Sequence, residues 1–577
     1  DIFFVISGFV ITSSLYQRPS KNFKDFISGF YERRIKRLVP ALSVFVLITS
    51  ITICLFNPTP GFSLLTGLTS LFGLSNLYLL IQSTDYFAQS TELNVFTHTW
   101  SLGVEEQFYI LFPFLIWFSG FGRQTKNGAR NLFLIVGALT IASLIGFIYF
   151  YKINQSAAYF LMPTRFWEMA SGCLLFIGLE KRKSIEQFLE KVPPILVLGL
   201  IVGIMYLPMS LATTSTVMVV ILSLVLIVSL KKGTAAYKFF TNSRVVYIGL
   251  ISYSLYLWHW GVLSISRWTI GIHWWSAPFQ VALMFGLAVA SYQWIETPLR
   301  KGNWLGKRWK TIILGGGVII TLTSGIFALG RPIKGKLFIG NQYNKWNMTI
   351  YREVKITHSP LLPTIYVIGD SFAGNYGSVM TNLAGKKEFN LIMHPQGEGL
   401  KQVERKGLEK YILGVQQEYK NDFKKGDIII FTADIDKYKN ELNFTKQYET
   451  FLQKTQNLGM KFILISPTPK FPIIKNRTLY NCSEELYRPS WAISPHCFSQ
   501  INKNEWFTSQ SVPISNIEKF LFANPKVNYI DAFSLLCPDS YCKNFDKNSL
   551  MYKDNGHLTS YSAMKLSNII KTFILSK

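Results

Sequence analysis

Long apolar runs recur from Asp1 to about Gly330 and then stop. They read as helical spans near 2–16, 38–56, 62–82, 107–121, 131–150, 160–179, 195–207, 212–230, 246–266, 277–295 and 311–329. Runs approaching ~20 apolar residues match the thickness of a bilayer's hydrocarbon core. Beyond Arg331 the pattern changes to short apolar segments bounded by polar turns. Strands are predicted at 364–369, 427–432, 461–466 and 527–530, with helical periodicity between them. That alternation predicts an α/β fold with a largely parallel sheet. The expected architecture is a polytopic α-helical membrane domain over 1–330, a linker over 331–360 and an α/β domain over 361–577.

Charge orients the spans. Lys and Arg concentrate in the loops 17–37, 122–130, 180–191, 231–244 and 300–310, whereas 83–106 has neither and carries Asp85, Glu92, Glu105 and Glu106. Basic loops stay cytoplasmic, so the region after about Leu329 is expected outside the cytoplasm. Two complete spans between 38 and 82 would put 83–106 on the wrong side. One of those runs is therefore read as re-entrant or interfacial, leaving about ten crossings. The net charge of +26 would suit nucleic acid. Its first-half share sits between spans, so the expected partner is the lipid bilayer, with no nucleic acid. Of the six cysteines, Cys54 and Cys173 fall in apolar spans; Cys482, Cys497, Cys537 and Cys542 fall in the second half. An even set there predicts two disulfides and an oxidising compartment. The local pairing 482–497 and 537–542 is one of three connectivities. No CxxC occurs, and no metal site is expected.

Several polar constellations interrupt these patterns. Arg34 and Arg37 are three apart at a helix start and share a face. They suit either a positive-inside anchor or a phosphate-bearing ligand. His98 and Glu105, in His98-Thr99-Trp100-Ser101-Leu102-Gly103-Val104-Glu105, stand at the mouth of a span. There they serve function or an interfacial belt. Arg165 and Glu168, three apart within a span, are expected to pair with each other. In the second half, Gly369-Asp370-Ser371 follows a predicted strand and turns toward a helix. Such a turn exposes a serine Oγ beside backbone N–H groups. Near the C-terminus, Asp554-Asn555-Gly556-His557 supplies a base for Ser371 and, three residues earlier, a carboxylate to hold its tautomer.

In order along the chain, Ile2-Phe3-Phe4-Val5-Ile6-Ser7-Gly8-Phe9, the Arg34/Arg37 pair before Pro40 and His98–Glu105 resemble the acyltransferase-3 family of membrane O-acyltransferases. So do Arg165-Phe166-Trp167-Glu168, the run Ser252–Trp260 and Ile295-Glu296-Thr297-Pro298-Leu299-Arg300. The Ser371, Asp554 and His557 pattern resembles the SGNH hydrolases often fused to that family. The resemblance implies a multi-pass protein of the bacterial inner membrane with its C-terminal domain extracytoplasmic. It implies transfer of an acyl group, usually acetyl, from cytoplasmic acetyl-CoA to a cell-surface glycan: lipopolysaccharide O-antigen, exopolysaccharide or peptidoglycan. Acetyl-CoA is then a donor substrate, and no bound cofactor is expected. Arg34 and Arg37 would contact CoA, and Ser371 would carry the acyl group. Gly397 or Gly399 is the expected oxyanion glycine. The family's Asn block is replaced at its expected place by Phe431–Asp436. A functional Arg and a presumed catalytic His normally precede the Asp1-Ile2-Phe3-Phe4 motif, so the sequence is expected to begin inside the membrane domain. An extracytoplasmic carbohydrate esterase is the main alternative, and a transporter the more distant one.

Overall fold

The computed structural model describes every residue except 19, 21, 84–90, 182–191, 303, 305, 332, 334, 341–352, 396–417, 420, 439–448, 450, 454, 472–481, 483, 494–496, 547–548, 553–554 and 577. The chain divides into two compact units, 1–339 and 340–577.

The first unit is helical. Among the described residues, five helices are long and apolar enough to cross a membrane: Phe23–Phe56, Gly128–Ile153, Ala212–Ser229, Ser243–Trp268 and Arg308–Gly330. Large apolar side chains such as Ile141, Ile145 and Ile320 are more than half exposed, as expected where lipid is the solvent. The protein is thus a multi-pass membrane protein. Phe23–Phe56 begins well before the expected span and carries Arg34 and Arg37 within it; Asn22 caps it by accepting the Asp25 N–H at 2.9 Å. Where one run was expected at 62–82, two helices stand, Gly61–Leu71 and Ser75–Ser83. They are parted at Gly73, whose φ of +66° a side chain would oppose. Eleven residues reach only ~17 Å, about half the ~30 Å hydrocarbon thickness. The expected span 277–295 also changes character. Helix Ala277–Ser291 passes into one π-turn, Tyr292–Glu296, closed by the Thr297 N–H on the Tyr292 carbonyl. Such turns recur at functional sites, and this one leaves Glu296 only 2% exposed.

Helices Ile2–Tyr16 and Met162–Lys181 cross in backbone contact. A Cβ added at Gly8 would lie 1.8 Å from the Met169 carbonyl oxygen, and one at Gly172 would lie 2.1 Å from that of Val5. Small residues permit such crossings in membranes. This crossing brings the Ser7 motif against the helix that carries Arg165 and Glu168.

The second unit holds a six-stranded sheet in the order β1-β3-β2-β4-β5-β7. In chain order its strands and their small companions are β1 Val354–Ile356, β2 Thr364–Gly369, β3 Asn390–Pro395, β4 Ile428–Thr432, β5 Lys461–Ile465, β6 Gln500–Asn502, β7 Asn528–Ile530, β8 Tyr541–Lys543, β9 Phe545–Asp546 and β10 Ser549–Leu550. Every pairing within the large sheet is parallel except the edge strand β1 with β3. Alternate residues feed two cores. Ile365, Val367, Ile428 and Ile430 face one, while Tyr366, Ile368, Ile429 and Phe431 face the other. Covering both faces is why these strands read as continuous apolar runs rather than alternating ones. Two features differ from the sequence reading. β1 lies within the stretch 331–360 read as linker, and the inner strand β3, which carries His394, stands where no strand is predicted. The disulfides are Cys482–Cys497 and Cys537–Cys542, which selects the local pairing. Cys54 and Cys173 are buried and free.

Candidate active site

In the 340–577 unit the chain leaves β2 through Gly369, where an added Cβ would lie 1.8 Å from the Thr432 carbonyl oxygen of β4. Only glycine allows that approach, and it delivers the next residues to the carboxyl end of the parallel strands. Asp370 then caps the 3-10 helix Ser371–Tyr376, its Oδ1 accepting the Phe372 N–H at 2.9 Å. Its Oδ2 accepts the Asp434 N–H, also at 2.9 Å. Ser371 thus opens a helix whose preceding residue is tied to the strand-end loop beyond β4.

His557 arrives from the far end of the sequence. Its Nε2 lies 2.9 Å from Ser371 Oγ, the separation of a nucleophile and its base. The imidazole is 1% exposed and lies against the Phe372 ring at 4.6 Å between centroids. Gly556, just before it, accepts from Thr468 Oγ1 at 2.9 Å; Leu558, just after it, donates its N–H to Asn375 Oδ1 at 3.1 Å. Asp554, Gly397 and Gly399 lie outside the described residues. At the expected place of the Asn block, the Asp434 and Asp436 side chains each meet Lys470 Nζ at 2.6 Å. Burial opposes the charge of Lys470, but the two carboxylates outweigh it and hold the ammonium above lysine's ordinary pKa. The Phe372 and Ala373 N–H groups are both committed to Asp370.

The 1–339 unit holds a cavity of about 950 Å³ whose lining includes Arg34, Arg37, Glu105 and Arg165. Ser7 and Tyr109 hydroxyls both donate to Glu105 Oε1. The Arg34 guanidinium lies over the Tyr109 ring, 3.7 Å from its centroid. Neither Arg34 nor Arg37 has a carboxylate within 4.0 Å among the described residues. Arg165 is paired: Nη1 meets Glu168 Oε1 at 2.8 Å and Nη2 meets Asp1 Oδ1 at 2.7 Å. Glu168 is fully buried behind it and does not line the cavity. His98 is also buried off the cavity. Its ring stands 5.0 Å from Tyr256 and 5.5 Å from His259.

The structure brings four of the six membrane candidates to this cavity, and Ser7, Tyr109, Tyr253 and Tyr256, which the sequence reading did not single out, also line it. Tyr253 and Tyr256 are three apart, the spacing of one helix face, which was the available signal. The Tyr253 hydroxyl donates to the Leu38 carbonyl at 3.0 Å and that of Tyr256 to the His98 carbonyl at 2.6 Å. One helix thus connects both motifs.

Residues 1–296 match the acyltransferase domain family, and residues 350–572 match the SGNH domain that is fused to AT3 domains. The chain belongs to the acyltransferase family. A peptidoglycan O-acetyltransferase OatA of Listeria monocytogenes is 29% identical over 323 residues, covering 53% of this chain and 51% of that protein. An O-acetyltransferase OatA of Staphylococcus aureus is 30% identical over 325 residues, covering 52% of each. The chain spans about half the length of these curated relatives. The periplasmic domain of a lipopolysaccharide acetyltransferase from Salmonella ser. Paratyphi A aligns to 38% of this chain and 85% of that domain. Its sequence identity is 15% and its TM-score 0.26.

Proposed function

We propose that this acyltransferase-family protein transfers an acetyl group from acetyl-CoA to hydroxyl groups of a cell-surface polysaccharide, through an acyl-enzyme at Ser371. The 2.9 Å Ser371–His557 contact carries the reading, in a chain whose first 296 residues match acyltransferases. Peptidoglycan is the acceptor class favoured by the Listeria relative's name. The donor enters the membrane unit from the cytoplasm, where the Arg34 and Arg37 guanidiniums, without a carboxylate partner among the described residues, suit the phosphates of CoA. The 340–577 unit works outside the inner membrane, in keeping with its disulfides.

At the second unit, Ser371 Oγ attacks the acyl carbonyl and gives its proton to His557 Nε2. The tetrahedral adduct collapses, and the departing group takes that proton. A sugar hydroxyl then attacks acyl-Ser371, passes its proton to His557, and the ester leaves as Ser371 Oγ is reprotonated. Asp554 holds the imidazole tautomer. The test is Ser371→Ala in the full chain, in membranes supplied with labelled acetyl-CoA and a glycan acceptor. Acceptor labelling should fall by ~10³-fold or more. Undiminished labelling would overturn the serine step. Loss of acetyl from a pre-acetylated glycan, with none transferred, would favour an esterase instead.

A further inference from the structure

We propose that Asn375 is a positioning residue that locks the His557 loop to the nucleophile's own helix. The inference rests on the reading of Ser371 and His557 as the acyl-transfer pair. Asn375 lies four residues after Ser371 on the same 3-10 helix. It is 1% exposed, and its Oδ1 accepts the N–H of Leu558, the residue that follows His557. Because the backbone group is a donor, the amide atom facing it must be the oxygen. This is a direct link between the elements bearing the two reacting side chains. The other tethers differ. Among the described residues, Thr468 holds Gly556 and Phe471 holds Asn555 from the segment after β5, and Phe372 lies against the imidazole ring without a hydrogen bond to it.

The second observation is the other half of the amide. Asn375 Nδ2 is buried without a hydrogen-bond partner among the described residues. A buried, unpaired donor destabilises the folded state. An apolar side chain of similar size would remove that penalty but take the acceptor from the buried Leu558 N–H, so the two effects roughly offset. Stability alone therefore gives asparagine little advantage over leucine at this position. What the asparagine supplies is the fixed register between Ser371 and His557. A base displaced by about 1 Å is enough to cost on the order of 10²-fold in rate.

The experiment compares Asn375→Leu, Asn375→Asp and Ser371→Ala in the full chain in detergent, with p-nitrophenyl acetate as the acyl donor. Midpoints of proteolysis of the 340–577 unit are measured in parallel. Asn375→Leu should lower kcat by ~10–100-fold with KM unchanged, and its midpoint should stay close to the parent's. Asn375→Asp keeps an oxygen facing Leu558 and should stay within a few-fold of the parent. A leucine variant with parental kcat overturns the proposal. So does equal loss in both Asn375 variants with a fallen midpoint, which marks an ordinary structural residue. If Ser371→Ala cleaves the ester at the parental rate, the acyl-transfer reading of the site fails, whatever the Asn375 variants do.

Discussion

Glu105 shows how much one residue's meaning depends on its neighbours. In the sequence it is a carboxylate at the mouth of a span. In the structure two hydroxyls, from Ser7 and Tyr109, converge on a single carboxylate oxygen, and Arg34 lies over the Tyr109 ring. Glu105→Gln keeps an oxygen for both hydroxyls but removes the charge they and Arg34 face. Hydrogen bonds to a charged group are worth about 1.5–3 kcal/mol, which is roughly 10–100-fold in rate. The release of CoA from acetyl-CoA by membranes carrying Glu105→Gln should fall by that factor. An unchanged rate would reduce Glu105 to a packing role. Ser7 was visible only as part of a motif. Its role depends on the Gly8–Met169 crossing, a long-range packing fact that no local pattern carries.

Among the elements, the irregular ones position the chemistry. The π-turn Tyr292–Glu296 turns Glu296 inward, where Ser254 Oγ donates to it at 3.1 Å and Arg300 Nη1 lies at 3.6 Å. In the second unit, β8, β9 and β10 are two or three residues long, too short for strand propensity to announce them. They are stitched by Asn544, 3% exposed. Its Oδ1 accepts the Ser499 N–H at 2.9 Å, and its Nδ2 donates to the Cys497 carbonyl at 2.8 Å. The Asn544 carbonyl accepts from Met551, whose own carbonyl accepts from Thr559. The disulfide segment is thereby tied to the loop that bears His557. Asn544→Ala strands one part-buried N–H and one buried C=O, the latter costing about 1–3 kcal/mol and the former less. Limited proteolysis of the full chain should show the 340–577 unit yielding at correspondingly lower temperature. A midpoint equal to the parent's would mean that water or relaxation satisfies both groups.

For the whole molecule, the division at 339 and 340 assigns different vulnerabilities to the two units. The Cys482–Cys497 bridge spans 15 residues, and closing a loop of that size stabilises by about 3 kcal/mol. Replacing both cysteines by serine should destabilise the second unit by that amount and reduce acceptor acetylation, while CoA release at the membrane unit stays at the parental level. A parallel fall in both activities would show that the units do not act independently. The sequence by itself determined the membrane and α/β halves, four of the six strands of the large sheet and the Ser371–His557 pair. Those signals are carried by residues adjacent in the chain: apolar runs, loop charge and two short motifs at opposite ends of one domain. Tertiary structure alone decided that 62–82 is two helices and that β1 and β3 complete the sheet. It also decided which cysteines pair and that Arg34, Arg37, Glu105 and Arg165 share one cavity. The completed sheet and the shared cavity depend on segments far apart in sequence coming into contact, and hydrophobic periodicity reports which face of an element is buried, not what it is buried against.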